Sequence, residues 1–240
     1  MIESQGSQPE YSATIDDRQE LFSLIPYALS EIQTTLTPIR LSRYLSAAPG
    51  NAALALSLYR WNSFLAHSLY WPLQTVEVAT RNSIAKVLAK RYGQEWHTSS
   101  KFVHELSRED AIRLNDTIER QQRDRLTRRP SIDVIVADLP FGFWTSMLSK
   151  RYEIPLVWRA NLRVAFPHLP ARLEVRSAHS PMERIRILRN RIAHHEPTFE
   201  RRLDAEHNEI LRVIGWVCPC TQWYVEQTSI FAQIWSARPI

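Results

Sequence analysis

"NAALALSLYRWNSFLAHSLYWPLQTVEVATRNSIAKVLAKRYG", residues 51–93, decides the fold. Apolar residues recur along it at three- and four-residue spacing, which is the signature of helix rather than strand. Pro72 interrupts the pattern: it removes one backbone N–H and its ring presses on the carbonyl four residues back. Two helices, or one kinked helix, are therefore expected between Asn51 and Gly93.

The same spacing extends to both sides. Thr37-Pro38 reads as an N-cap followed by proline at the first helical position, opening a short helix through Tyr44 and Leu45 that ends near Pro49-Gly50. An earlier helix is expected from Glu20 to Thr34. Residues 1–17, MIESQGSQPEYSATIDD, are polar and acidic and are expected to form a flexible tail. Downstream, Ser107 and Asp110 resemble a capping box that starts a helix through Arg128. Ser131 reopens a helix after Pro130 that carries Phe141, Phe143 and Trp144; sitting in an apolar run, they read as core rather than base-stacking groups. A shorter segment covers Trp158 to Phe166, and a last helix runs from about Asp204 to Ala237. The fold class is all-α, with 18–240 as a single domain and 18–128 and 131–240 as candidate helical sub-bundles.

Composition agrees and narrows the partners. With 240 residues, 44% of them hydrophobic, the chain can bury a substantial core, and 14 Pro against 5 Gly suit helices joined by short connections. The net charge is +5, and only Lys86, Lys90, Lys101 and Lys150 of the 30 basic residues are lysines. Arginine pairs bidentately with phosphate, which suits a polyanionic partner. Arginines on solvated helix faces in a GC-biased genome would look the same. Cys218 and Cys220 are the only cysteines, which excludes a disulfide framework and leaves no second pair for a zinc site. The N-terminus lacks an apolar signal region and no apolar stretch of membrane-spanning length follows, so a soluble, cytoplasmic protein without a membrane partner is expected.

No solenoid period is present, but Thr80-Arg81-Asn82-Ser83-Ile84-Ala85-Lys86 echoes Leu188-Arg189-Asn190-Arg191-Ile192-Ala193-His194 without the histidine. In the first copy Glu77 lies one turn before Arg81, the spacing of a structural ion pair. In the second, Ser180 as N-cap, Pro181 at the first position and Glu183 at the third predict the helix start. Met182, Ile185, Leu188 and Ile192 fall on one side, the face expected to pack on the core. Asn190 and His194 lie roughly opposite, one turn apart, with Ile187 beside them. An isoleucine there suggests a second buried surface, most simply an interface with another copy of the chain.

Arg189 and His194 are about 140° apart around the helix, too far to converge from one copy. Two helices across a twofold axis bring an Asn-His face and a flanking Arg together. RNA cleavage fits such a set: one neutral His takes the 2′-OH proton, a second protonated His donates to the leaving 5′-oxygen, and Arg neutralises charge growing on the phosphate. No metal or other cofactor is called for, and consecutive His194, His195 and Glu196 point about 100° apart, which does not suit one ion. The alternative is a solvent-facing trio at a helix C-terminus, where positive charge is favourable. Arg120, Arg123, Arg125, Arg128 and Arg129 form a second basic region, an added RNA-contacting surface or a solvated face partly paired with Glu119 and Asp124.

LRNRIAHHEP, residues 188–197, resembles the R-x4-6-H signature of HEPN ribonucleases, with Arg189, Asn190 and His194 in its arginine, polar and histidine places; His195 satisfies the looser spacing. RLSRYL at 40–45, LYRWN at 58–62, PLQTVEVATRN at 72–82 and FGFW at 141–144 extend the likeness to the Abi-like abortive-infection proteins of bacteria. The resemblance implies a HEPN-like helical bundle with additional helices. It implies a homodimer with a composite site and metal-independent endoribonuclease activity used as a toxin in phage defence, with an antitoxin or a phage trigger as partner. The alternative it carries is a non-catalytic module that binds RNA, nucleotide or protein, as in toxin–antitoxin pairs.

Overall fold

The computed structural model describes residues 26–126 and 129–239, so the expected tail at 1–17, the start of the helix expected from Glu20, and Arg128 lie outside the described residues. Among the described residues there are twelve α-helices and no strand: the protein is all-α. None of these helices is long and apolar enough to cross a membrane. Backbone packing divides the chain into two compact units, one of the described residues up to Leu65 with Ala232 onward, the other Ala66–Phe231.

In the first unit, α1 (Pro26–Leu36) is followed by α2 (Pro38–Ala47), which starts as its sequence predicts. The Thr37 hydroxyl accepts from the Arg40 N–H and Pro38 occupies the first turn. The turn after α2 places Gly50 at φ +73°, a left-handed conformation that costs glycine little. Leu41 and Tyr44 are buried, Tyr44 meeting Tyr59 edge-on at 5.3 Å. Trp61 donates to the Ile234 carbonyl at 2.7 Å and stacks on Trp235.

The helix α3 (Ala52–Tyr92) runs through Pro72 as one element, so of the two expected outcomes the division into two helices does not occur. An interior proline costs about 3 kcal/mol. Leu69, Leu73 and Val76 beside it are all buried, and each such side chain contributes roughly 1.5–3 kcal/mol. Burial outweighs the lost hydrogen bond, so the helix continues.

The second unit follows with α4 (Ser100–Glu105), α5 (Arg108–Asp124), α6 (Ile132–Asp138), α7 (Phe141–Ser146), α8 (Trp158–Ala165), α9 (Val175–Ala193), α10 (Leu203–Val217) and α11 (Pro219–Thr228); α12 (Phe231–Ser236) begins at its last residue. Phe141, Phe143 and Trp144 are core, as their apolar run predicts, with Trp144 edge-on to Trp96 at 6.0 Å. Prolines explain two further departures. Pro140 separates α6 from α7, because the residue before a proline is driven to extended geometry, here Leu139 at φ −60°, ψ 131°. Pro219 likewise ends the expected single C-terminal helix after Cys218 at φ −156°, ψ 112°, and three short helices take its place. The helix α5 stops at Asp124 rather than Arg128, since Leu126 turns left-handed at φ +49° and its N–H closes on the Arg123 carbonyl.

Around α5 the capping box becomes a hub. The Ser107 hydroxyl accepts from the Asp110 N–H and donates to its carboxylate at 2.8 Å. The Ser107 backbone N–H, which a reciprocal box would give to Asp110, goes to the Tyr152 hydroxyl at 2.9 Å. Tyr152 donates in turn to Asp110 at 2.7 Å, joined there by Ser146 and Arg113, both at 2.9 Å. Burial pushes the Tyr152 phenol above its ordinary pKa, which keeps the proton that this bond needs. Four donors thus converge on one carboxylate that is 3% exposed. Asp110→Ala should leave them unmatched and cost about 3 kcal/mol, lowering Tm by roughly 6–12 °C in thermal denaturation. A loss below about 1 kcal/mol would show that this network does not tie α5 to the chain around Tyr152.

Candidate functional site

The site is built on α9, which starts a turn and a half before the expected Ser180-Pro181. Glu174 stands at its N-cap, and the added residues bury Val175 and Ala178, a gain that outweighs carrying Pro181 inside the helix. Glu183 therefore has no capping role. It receives Arg186, while the Ser180 hydroxyl accepts from Arg184 at 2.7 Å. Met182, Ile185 and Leu188 are buried as the periodicity predicts, and Ile192 is only half-buried because it lines a cleft. Ile187 stands 44% exposed, Asn190 half-buried and His194 exposed, which puts the second stripe outside the core.

Two helices face each other across that cleft, whose volume is about 370 Å³. Tyr70, Gln74, Glu77 and Arg81 line it from α3, Arg189 and Ile192 from α9. The same two helices also touch where the buried Thr80 hydroxyl lies 3.9 Å from the Met182 sulfur. The expected Glu77–Arg81 pair is replaced by a longer-range one: Glu77 holds the Nε of Arg189 at 3.3 Å. Arg81 instead donates through Nη1 to the Ala137 carbonyl at 3.0 Å, and its Nε is buried without a partner. Rotation of α9 explains the exchange, because burying Leu188 swings the next residue toward α3. The echoed arginines of the two helices thus share one cleft. Sequence reasoning singled out both but missed that they meet, and missed Tyr70 and Gln74; the echo and the stretch from 72 to 82 were the available signals for all but Tyr70, which lies before both.

The end of α9 separates the two histidines. The His194 N–H closes the last turn on the Asn190 carbonyl at 2.9 Å. The His195 N–H reaches the Ile192 carbonyl at 3.0 Å and the Glu196 N–H the Arg191 carbonyl at 2.8 Å, the paired bonds of a Schellman stop. His195 takes the left-handed position at φ +55°, where glycine is the usual occupant, and Pro197 follows. The cleft lining ends at Ala193, and both histidines lie beyond it, exposed. One chain therefore places Arg189 in the cleft and His194 outside it.

Elsewhere, the basic region is partly neutralised. Arg120 pairs with Asp138 at 2.9 Å, and Arg125, past the helix end, donates to Gln121 at 3.0 Å. Arg123, Arg125 and Arg129 are exposed. Among the described residues, no three His, Cys, Asp or Glu side chains gather as metal ligands.

Because His195 pays a backbone cost that glycine does not, His195→Gly should stabilise the fold by roughly 0.5–1 kcal/mol. Urea denaturation measures this, and a destabilised variant would mean that the side chain itself holds the helix end.

Comparison with known families supplies the context. No curated protein and no solved structure matches the chain. The model of the Abi-like protein family matches residues 42–200, well over half of the chain, and that span includes both lips of the cleft and the two histidines after it. The chain belongs to the Abi-like protein family.

Proposed function

We propose that this Abi-like protein is a metal-independent endoribonuclease of the HEPN type, a toxin that acts in phage defence through abortive infection. The observation that carries the reading is the end of α9, where Arg189 enters a cleft and His194 is exposed within the next turn and a half. Arg189 neutralises the phosphate, Asn190 supports it, His194 of one copy takes the 2′-OH proton as the oxygen bonds to phosphorus, and protonated His194 of the second copy donates to the 5′-oxygen as its bond to phosphorus breaks. The 2′-OH is already held beside its phosphate, so it attacks without a metal-bound water. General acid–base catalysis contributes about 10²–10⁴-fold, and charge stabilisation by arginine adds to it. His195, set by its left-handed backbone, is the helix stop in this scheme.

One chain does not bring Arg189 and His194 into the same cleft, so the reading includes a homodimer in which α9 meets its copy through Ile187, Asn190 and His194. RNA is the substrate. Arg123, Arg125 and Arg129 extend its path, and an antitoxin or a phage component controls the toxin. A second reading, a non-catalytic RNA- or protein-binding module, draws on the Glu77–Arg189 pair, which offsets the charge of the arginine before any ligand arrives.

Purified protein incubated with total RNA in excess EDTA separates the two. The nuclease shortens RNA catalytically, and Arg189→Ala or His194→Ala each slows it by about 10²-fold or more, with His195→Ala milder. Ile187→Glu gives a monomer in sedimentation and loses activity with it. RNA that is shifted but never shortened supports the binding module. Cleavage that survives both Arg189→Ala and His194→Ala contradicts the assignment.

A further inference from the structure

The cleft between α3 and α9 has features that a dimer contact or a proton-transfer scheme does not use. Tyr70 is 65% exposed at its edge, Gln74 beside it is exposed, and Arg81 enters from the same helix. Its volume of about 370 Å³ falls in the range of small-molecule sites. Resting on the ribonuclease reading above, we propose that the cleft receives one unstacked nucleotide of single-stranded RNA beside the bond to be cut. Arg81 and Arg189 hold its phosphate, and Tyr70 stacks under its base.

Charge and geometry agree on the phosphate. Two guanidinium groups and one carboxylate line the space, so it is positive without being a bare cationic hole. A guanidinium has five N–H donors, and an ion pair at the Nε of Arg189 does not exhaust them. Glu77 fixes the plane of that group, as the Ala137 carbonyl fixes Arg81. Both forks are thereby ordered before the ligand arrives, which removes part of the entropy cost of binding. The unpartnered Nε of Arg81 is a cost that the fold bears for placing a guanidinium here.

Tyr70 supplies the base platform. Stacking on an aromatic ring is worth about 1–3 kcal/mol per base and tolerates every base, while the Gln74 amide offers a donor and an acceptor to a base edge. Bases inside an A-form duplex are stacked and cannot enter, so the cleft selects single strands, loops and bulges.

Fluorescence anisotropy of a short labelled single-stranded oligoribonucleotide, measured in the His194→Ala background to prevent cleavage, tests this. Tyr70→Ala should weaken binding about tenfold and Tyr70→Phe by less than about twofold. Arg81→Gln should weaken binding and reduce the slope of log K against log salt by about 0.7, the value of one lost phosphate contact on a single strand. The same sequence as a duplex should bind poorly. Tyr70, exposed as it is, carries no folding cost, so unchanged binding by Tyr70→Ala overturns the proposal. Equal binding of the duplex overturns it too. If the protein with His194 intact binds in this pattern but never cleaves, the catalytic reading fails and the nucleotide site stands.

Discussion

Rotation of α9 about its own axis is fixed by one buried stripe, Val175, Ala178, Met182, Ile185 and Leu188, and the site follows from that rotation. Turning the helix by one residue, about 100°, would bring several of these apolar groups into water at roughly 1.5–3 kcal/mol each. The polar contacts elsewhere on the helix, such as Arg184 with Glu209, are reached by water, and such pairs contribute about 0–1 kcal/mol. With Leu188 inward, Arg189 is carried to Glu77 and the cleft, while Ile187 and His194 are carried outward. Core packing and candidate chemistry are therefore two faces of one constraint.

The ion pair across the cleft acts as an orienting contact more than a stabilising one. Arg189 is 43% exposed and Glu77 19%, and pairs reached by water contribute about 0–1 kcal/mol. A phosphate presents a second anion to the same guanidinium, and charge-assisted bonds of that kind are roughly twice as strong as neutral ones. The pair can thus hold the fork in place and still yield part of it to a ligand. The other arginine lining the cleft, Arg81, is held by a neutral carbonyl instead.

Local signals were legible wherever one turn of chain decides the outcome. Thr37 and Ser107 cap helices as their neighbours predict, and the apolar stripe of α9 reads directly from residue spacing. Prolines show where local reading stops. Pro72 and Pro181 stay inside helices, whereas Pro140 and Pro219 follow residues whose backbone is extended. Leu139 and Phe141 around Pro140 are as buried as Leu73 and Val76 near Pro72, so neither the proline nor its apolar neighbours reveal the outcome. The same holds at the site: Arg189, Asn190 and His194 announce themselves as a motif, but the partner of Arg189 sits on a helix far away in sequence. Nothing in the spacing of Glu77 and Arg81 told that α9 would outcompete the nearer arginine. The left-handed turn at His195, by contrast, is a backbone requirement for which a histidine gives no outward sign.

The chemistry of the cut ends tests the central claim most directly. If His194 and Arg189 act on the 2′-OH, mass spectrometry of RNA fragments made by the purified protein will find a 2′,3′-cyclic phosphate on one side of the break and a 5′-hydroxyl on the other. Substrates with a 2′-O-methyl group at the cut position will stay intact. Fragments that end in a 3′-hydroxyl and a 5′-phosphate would mean that water, not the neighbouring ribose, is the nucleophile, and would contradict the account.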